Sequence, residues 1–413
     1  MTNRQLGIRP NLGQFLIQTL LVFFVGTTIG LERTVVPLLA RDEFGIASAS
    51  VVASFLVSFG LVKAALNLWG GYWSERWGRR PLLIAGWVAA LPIPLLIIVA
   101  PSWSWIVAAN ILMGVNQGLA WSMTVTSKVD IVGEPHRGLA ISINEFAGYL
   151  GVALASWFSG TLAASYGLRP APFIVGFGII VVALGISVLL VKETRDYARL
   201  GADAQGKPLE TPGLGEMLRL VSWKDRTLLG CSQAGMVGKF VDALVWVAFP
   251  LYLSAAGLDA AAIGAVVGVY GLTWATAQLV AGPASDRFGR KPLIIAGMVL
   301  AALGVATVTR VEGMAPWLAS AVLTGLGIAL TYPTLLAAVS DASQPKWRGA
   351  ALGVYRMWRD AGYAFGGLLI GLLADAVSLQ VAFDVVAACA LLSAALGVAT
   401  MQETAPNISP RKT

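Results

Sequence analysis

Apolar runs long enough to cross a bilayer recur from one end of this 413-residue chain to the other. A hydrocarbon core about 30 Å thick needs roughly 20 mostly apolar helical residues, and only helices or a closed barrel can carry backbone polar groups through it. Twelve such runs can be read, at about 13–39, 47–69, 81–100, 104–127, 138–164, 172–191, 227–254, 261–283, 292–308, 315–339, 350–373 and 379–400. Only 12% of residues are charged, about half the share in a soluble protein. The chain therefore reads as an all-α membrane protein of twelve transmembrane helices. Its first run ends in Arg41-Asp42-Glu43 instead of a small-residue cleavage site, which argues against a removed signal peptide.

The basic residues set an expected orientation. With the N-terminus inside, 21 Lys and Arg fall on that side, seven of them between Lys192 and Arg226, while the opposite loops hold only Arg41, Arg169 and Arg310. This bias places both termini in the cytoplasm, and the chain is expected in the plasma membrane, the inner membrane if the source is bacterial. It also accounts for the net charge of +7 without a nucleic-acid partner. Cys231 and Cys389 lie in apolar runs and are too few for a disulfide framework or a cysteine metal site. A zinc site or a Ser-His-Asp hydrolase would depend on His136 alone, so neither a metal nor a cofactor is expected.

The stretch "GYWSERWGRRPLLIAG" at 71–86 returns 211 positions later as "GPASDRFGRKPLIIAG" at 282–297, with ten of sixteen residues identical. The same offset sets "DIVGEPHRG" against "DASQPKWRG", matching Asp130 to Asp341 and Arg137 to Arg348. "VKET" near 191 and "MQET" near 401 close the two copies. The repeat divides the chain into an N-terminal six-helix bundle at 1–191, a polar cytoplasmic linker at 192–223 and a C-terminal six-helix bundle at 224–413.

Two sets of six runs, with G-x-x-x-[DE]-R-x-G-R-[RK] after the second and again after the eighth, resemble the major facilitator superfamily over about residues 10–405. The resemblance implies two pseudo-symmetric bundles that rock about a central substrate site, in a lipid-embedded monomer whose partners are a small molecule and protons. It also implies a cytoplasmic latch. Its first copy is Gly71, Glu75, Arg76, Gly78, Arg79 and Arg80, with Asp130 or Arg137 as partners. The second is Gly282, Asp286, Arg287, Gly289, Arg290 and Lys291, with Asp341 and Arg348. Glu75 stands where aspartate is more usual. Physically, Gly71 and Gly78 would allow a tight turn, and the acid would compensate the arginines across the gap between bundles.

Nine charged residues fall inside the runs: Glu32, Arg33, Lys63, Glu145, Lys239, Asp242, Arg356, Arg359 and Asp360. Each costs about 2.5–3.5 kcal/mol at a helix centre. Unpaired, they would outweigh a typical net stability of about 5–15 kcal/mol, so they must pair or line a wet cavity. Helical spacing pairs Lys239 with Asp242 and Arg356 with Asp360. Glu145 and Arg356, 211 apart, are equivalent positions of opposite charge. Glu32 continues a polar stripe through Gln18 and Thr28 and is expected to face the cavity. Arg33, about 100° round the helix, turns to a neighbouring helix or snorkels outward. Asn110, Gln117, Trp121, Thr124 and Lys128 share one face of the fourth run, and Trp246, Tyr355 and Trp358 could add an aromatic lining. For any single aromatic, ordinary packing is the stronger reading.

The candidate substrate or proton site is thus Glu32, Gln117, Trp121, Glu145, Lys239, Asp242, Arg356, Arg359 and Asp360. Glu32 would exchange the proton, with substrate or an arginine such as Arg356 as its charged-state partner. Small residues at Ala147, Gly151 and Ala155, and at Gly362/Gly366 and Gly367/Gly371, predict close helix packing. The first functional reading is proton-coupled efflux of a small, drug-like organic solute. The alternative is an uptake symporter or facilitator for a small, possibly anionic, metabolite. Two departures from the resemblance weaken antiport: no arginine in the fourth run and no proline in the fifth. With no nucleotide loop, metal constellation or large extramembrane domain, an enzyme is disfavoured.

Overall fold

The computed structural model describes residues 5–133, 136–203, 213–344 and 347–405. Helices α1 (Leu12–Asp42), α2 (Ala49–Trp77), α3 (Arg79–Val99), α4 (103–132), α5 (Arg137–Tyr166) and α6 (Ala171–Leu189) build one half. The other half comprises α7 (Arg226–Ala255), α8 (Ala260–Phe288), α9 (Arg290–Val308), α10 (Met314–Ala342), α11 (Arg348–Ala376) and α12 (Leu379–Thr400). Two short linker helices, Arg195–Asp203 and Leu214–Arg219, lie between the halves in sequence. Residues 1–4 and 406–413, on which the expected cytoplasmic termini fall, lie outside the described residues, as do linker residues 204–212.

Caps and breakers explain several boundaries. Asp225 accepts from the backbone N–H of Thr227 and Leu228 at the start of α7, both at 2.9 Å, and Asp259 accepts from Ala262 N–H at 2.8 Å at the start of α8. Gly78 (φ 95°) and Gly289 (φ 99°) make the equivalent turns between α2 and α3 and between α8 and α9, a conformation costly for any residue with a Cβ. Gly71 lies inside α2 and makes no turn, which corrects the expectation for it. Ten of the described helices are long and apolar enough to span a membrane on composition alone. The other two rods are α4, interrupted by a π-helical turn at Gln117–Trp121, and α11, which carries Arg356, Arg359 and Asp360.

An even number of helices in each half brings the start of α1, the linker and the end of α12 to one side, the linker side. On the far side the halves meet backbone to backbone. A Cβ on Gly264 of α8 would lie 3.0 Å from the Cα of Gly160 on α5, and one on Gly371 of α11 would lie 3.0 Å from Ser50 N on α2. One step round α11, Gly362 and Gly366 pack on Lys239 and Phe240 of α7. Alternating small positions thus give α11 two contact faces. At the linker-side ends the pattern reverses: Gly138 on α5, Gly282 on α8 and Gly349 on α11 have nothing within 4 Å of a Cβ position. The far side is closed, and these linker-side ends stand apart.

Candidate functional site

The most saturated carboxylate in the core is Asp242 on α7, fully buried and shared across both halves. Arg33 of α1 grips it with both terminal nitrogens, at 2.7 and 3.0 Å. Lys239, one turn back on α7, reaches it at 2.8 Å, and the hydroxyls of Tyr270 and Tyr363 donate to it at 3.0 and 2.5 Å. Arg33 also lies over the Trp246 ring, 5.0 Å from its centroid. The Lys239–Asp242 pair is the one helical spacing predicted. Arg33 is only 1% exposed, so of its two expected directions it takes the inward one. A bidentate, charge-assisted pair with every remaining lone pair satisfied is the geometry in which a buried ion pair offsets its desolvation.

Below it, α2, α4, α5, α10 and α11 enclose a small cavity whose walls include Lys63, Trp121, Glu145, Arg356, Arg359 and Asp360. The Glu145 carboxylate accepts from Trp121 Nε1 at 3.0 Å and Tyr332 Oη at 2.8 Å. These two donors are 211 positions apart, the repeat offset, so equivalent aromatics from opposite halves close on one carboxylate. A Cβ on Gly148 would strike the Trp121 ring, which explains the absence of a side chain there. Asp360 accepts from Asn67 Nδ2 at 2.6 Å, lies 3.1 Å from Arg359 Nη1 and 3.8 Å from Lys63 Nζ. The expected Arg356–Asp360 pair is not made. Asp360 turns across to α2, and its adjacent arginine folds back on it. Arg359 also donates to Tyr149 Oη at 2.6 Å and lies over Tyr332, 4.2 Å from the centroid.

The remaining expected site residues are distributed unevenly. Gln117 lines the cavity and donates to Val25 O at 2.8 Å and Thr28 Oγ1 at 3.1 Å, tying α4 to α1. Lys128 bonds Thr19 on α1 at 3.0 Å. Trp246 is fully buried against Phe55 and Phe59, so it packs and does not line, whereas Trp358 donates to Ser222 at 2.8 Å. Glu32 is 1% exposed and lies outside the walls of the cavity; its polar neighbour is Asn110 on α4, and among the described residues neither carboxylate oxygen has a hydrogen-bond partner. The Glu32–Arg356 partnership expected from sequence is therefore absent here: Arg356 belongs to the cavity with Glu145.

The two loop motifs form matching networks. Arg79 donates to Asp130 at 2.9 Å and to Glu75 at 2.6 Å; Arg290 reaches Asp341 at 3.1 Å and Asp286 at 2.5 Å. Sequence reasoning missed their anchors. Glu193 accepts the backbone N–H groups of Arg79 (3.0 Å), Arg80 (3.1 Å), Thr194 (3.0 Å) and Arg195 (2.9 Å). Burial pushes this carboxyl up, but the four N–H groups outweigh it and hold it below the usual glutamate range. Glu403 does the same for Arg290 and Lys291, at 2.8 and 3.2 Å. The signal was present, since these are the glutamates of "VKET" and "MQET". Arg80 and Lys291 cap the ends of α6 and α12 by donating to Val188 O and Val398 O. Arg76 accepts through its carbonyl from Arg195, Arg287 lies over Phe288, and Arg348 donates to Ser340 O at 3.0 Å. Arg137 opens α5 half-buried. The Arg79 and Arg290 ion pairs each close within one half.

Twelve helices in two repeat-related halves, with charged and aromatic groups converging where the halves meet, define a membrane carrier. The family model of the Major Facilitator Superfamily matches residues 18–241 and 234–413, and the chain belongs to that family. It is a multi-pass transporter and not an enzyme. An uncharacterized MFS-type transporter of Salmonella typhimurium is 26% identical over 384 residues, 89% of this chain and 92% of that one. The multidrug resistance protein MdtH of Aeromonas hydrophila is 33% identical over 131 residues, 32% of this chain and 30% of that protein. The inward-open structure of the xylose transporter XylE from E. coli shares the fold with a TM-score of 0.74 at 18% identity, covering 97% of each chain.

Proposed function

We propose that this transporter exports a small organic solute in exchange for protons, with Glu32 as the proton carrier and the cavity beneath Asp242 as the solute site. The observation that carries the reading is a contrast among buried carboxylates. Glu145 and Asp242 each accept two or more hydrogen bonds, and Asp360 holds Asn67 with Arg359 and Lys63 as counter-cations. Among the described residues, Glu32 has no cation beside it and only the Asn110 amide as a polar neighbour. A buried carboxylate without a cation or donor is satisfied most cheaply by its own proton. When the halves rock, α1 moves with its half, and Glu32 gains water and gives up that proton. Export is supported by the local likeness to a multidrug resistance protein and by the aromatic walls around Glu145. The linker side is taken as cytoplasmic, from the concentration of Lys and Arg there.

Proteoliposomes with an imposed pH gradient test this. Glu32→Gln mimics the protonated state permanently, so it should abolish gradient-driven accumulation while leaving the solute able to bind. Accumulation with normal pH dependence in Glu32→Gln would move the proton site to Glu145 or Asp360. Reversing the gradient across oriented vesicles separates export from uptake.

A further inference from the structure

A second small cavity, between α7, α8, α10 and α11, adjoins the first, and the two share Arg359 and Tyr332 as a common wall. Their chemistry differs. The first is lined by three cations, Lys63, Arg356 and Arg359, against two carboxylates, Glu145 and Asp360. Neither carboxylate forms an ion pair with Arg356 among the described residues. Glu145 uses its oxygens on Trp121 and Tyr332, and Asp360 is already divided between Lys63, Arg359 and Asn67. Arg356 remains, half-buried in the wall, with no ion pair among the described residues. The second cavity is walled by Ala234, Gly235, Gly238, Trp274, Ile328 and Leu335, together with Lys239, Thr331 and Tyr355. A Cβ on Gly238 would find only the Ile328 Cδ1 atom, at 3.9 Å, so that wall is recessed.

We propose that the solute is an amphipathic organic anion, its acid group held by Arg356 and Arg359 and its apolar ring or chain lying in the recess at Gly238. This deepens the function proposed above and rests on its reading of the cavity as the solute site. A carboxylate or sulfonate supplies the missing counter-charge in a place where an uncompensated cation is costly, and it matches the planar guanidinium fork. A cationic solute would add a fourth positive charge. The mostly apolar compartment, floored by glycines and edged by Trp274, suits a flat or linear hydrocarbon. Arg359, common to both cavities, sits where head and body of such a molecule join.

The test uses purified protein in lipid nanodiscs with naphthalene-2-carboxylate, its neutral carboxamide, the cationic 2-naphthylmethylamine and benzoate, read as binding affinity, with flux of the same probes in proteoliposomes. Naphthalene-2-carboxylate should bind about tenfold or more tightly than the carboxamide, as expected for one charge-assisted contact. Arg356→Gln should erase that preference at unchanged melting temperature. Gly238→Leu should weaken naphthalene-2-carboxylate far more than benzoate, and Gly238→Ala, which adds a single methyl, stands in if the leucine variant folds poorly. Equal or tighter binding of carboxamide or amine, still weakened by the Gly238 variants, overturns the anion class and leaves the cavity reading intact. Unchanged binding of all probes in Arg356→Gln and in both Gly238 variants overturns the cavity reading itself. Failure of naphthalene-2-carboxylate to bind at millimolar concentration overturns the proposal as well.

Discussion

The Arg33–Asp242 cluster and the Arg79–Asp130 cluster are both arginine–aspartate networks, yet they do opposite jobs in the architecture. The first joins α1 to α7 across the two halves, is 4% exposed or less, and sits on the side where helix backbones touch. The second stays within one half on the linker side, and one of its acids, Glu75, is 67% exposed. Ion pairs that cross the halves must break when the halves part; those within a half can ride along unchanged. The difference separates charges that set the balance between states from charges that keep each half rigid.

The largest test of that distinction is Asp242→Ala. It leaves Arg33 and Lys239 buried without their counter-ion, and breaking such a pair costs about 3–5 kcal/mol. The expected result is a large fall in melting temperature or little monodisperse protein after extraction. A melting temperature near wild type would remove the cluster's bridging role.

Next come the within-half acids, compared with each other. The Asp130 side chain is 7% exposed and also accepts from Thr194 at 2.9 Å, while Asp341 is 21% exposed and Thr404 leaves its hydroxyl without a partner. Asp130→Asn should therefore cost about 2 kcal/mol and Asp341→Asn nearer 1 kcal/mol. Equal shifts in thermal unfolding would show that the two copies share the load evenly despite their geometry.

Glu193→Gln is a smaller change, expected to cost about 1 kcal/mol because the group is partly exposed. Its pKa is lower folded than unfolded, so its stabilisation is complete above the ordinary glutamate value of 4.5 and is lost as pH falls through the lowered one. The gap in melting temperature between wild type and variant should be widest at neutral pH and close under acid. A gap that persists however far the pH is lowered would mean that packing, not charge, is at work.

Glu75→Gln should move stability least, by under about 1 kcal/mol. If Glu75 also serves the latch that its motif implies, transport slows and labels on the linker-side ends of α5 and α11 move apart. Unchanged distances and unchanged transport would confine Glu75 to its contact with Arg79.

Much of this molecule could be read in one dimension, and the limits of that reading have a physical cause. Run length and the 211-residue repeat gave twelve rods in two sets, because hydrocarbon thickness and duplication both act along the chain. The spacings at Gly362/Gly366 and Gly367/Gly371 foretold close packing, and Lys239–Asp242 followed from one helical turn. Partnerships between helices were another matter. Arg33 and Asp242 are 209 residues apart, and no periodicity states which helix faces which. The Arg356–Asp360 pair failed because helical spacing puts two groups on one face without weighing Asn67 and Lys63 arriving from α2. Tyr149, Tyr270, Tyr332 and Tyr363 escaped notice because a tyrosine reads as apolar until its hydroxyl finds a buried acid or cation. Only Tyr332 carried a signal, as the repeat counterpart of Trp121.

That counterpart relation has a mechanical consequence. Glu145 is clasped from its own half by Trp121 and from the opposite half by Tyr332. Rotating one half against the other lengthens the second bond and spares the first. The carboxylate therefore works as an angle gauge: its count of donors falls from two to one as the hinge swings, and whatever molecule or water then stands beside α10 is the one that can restore it.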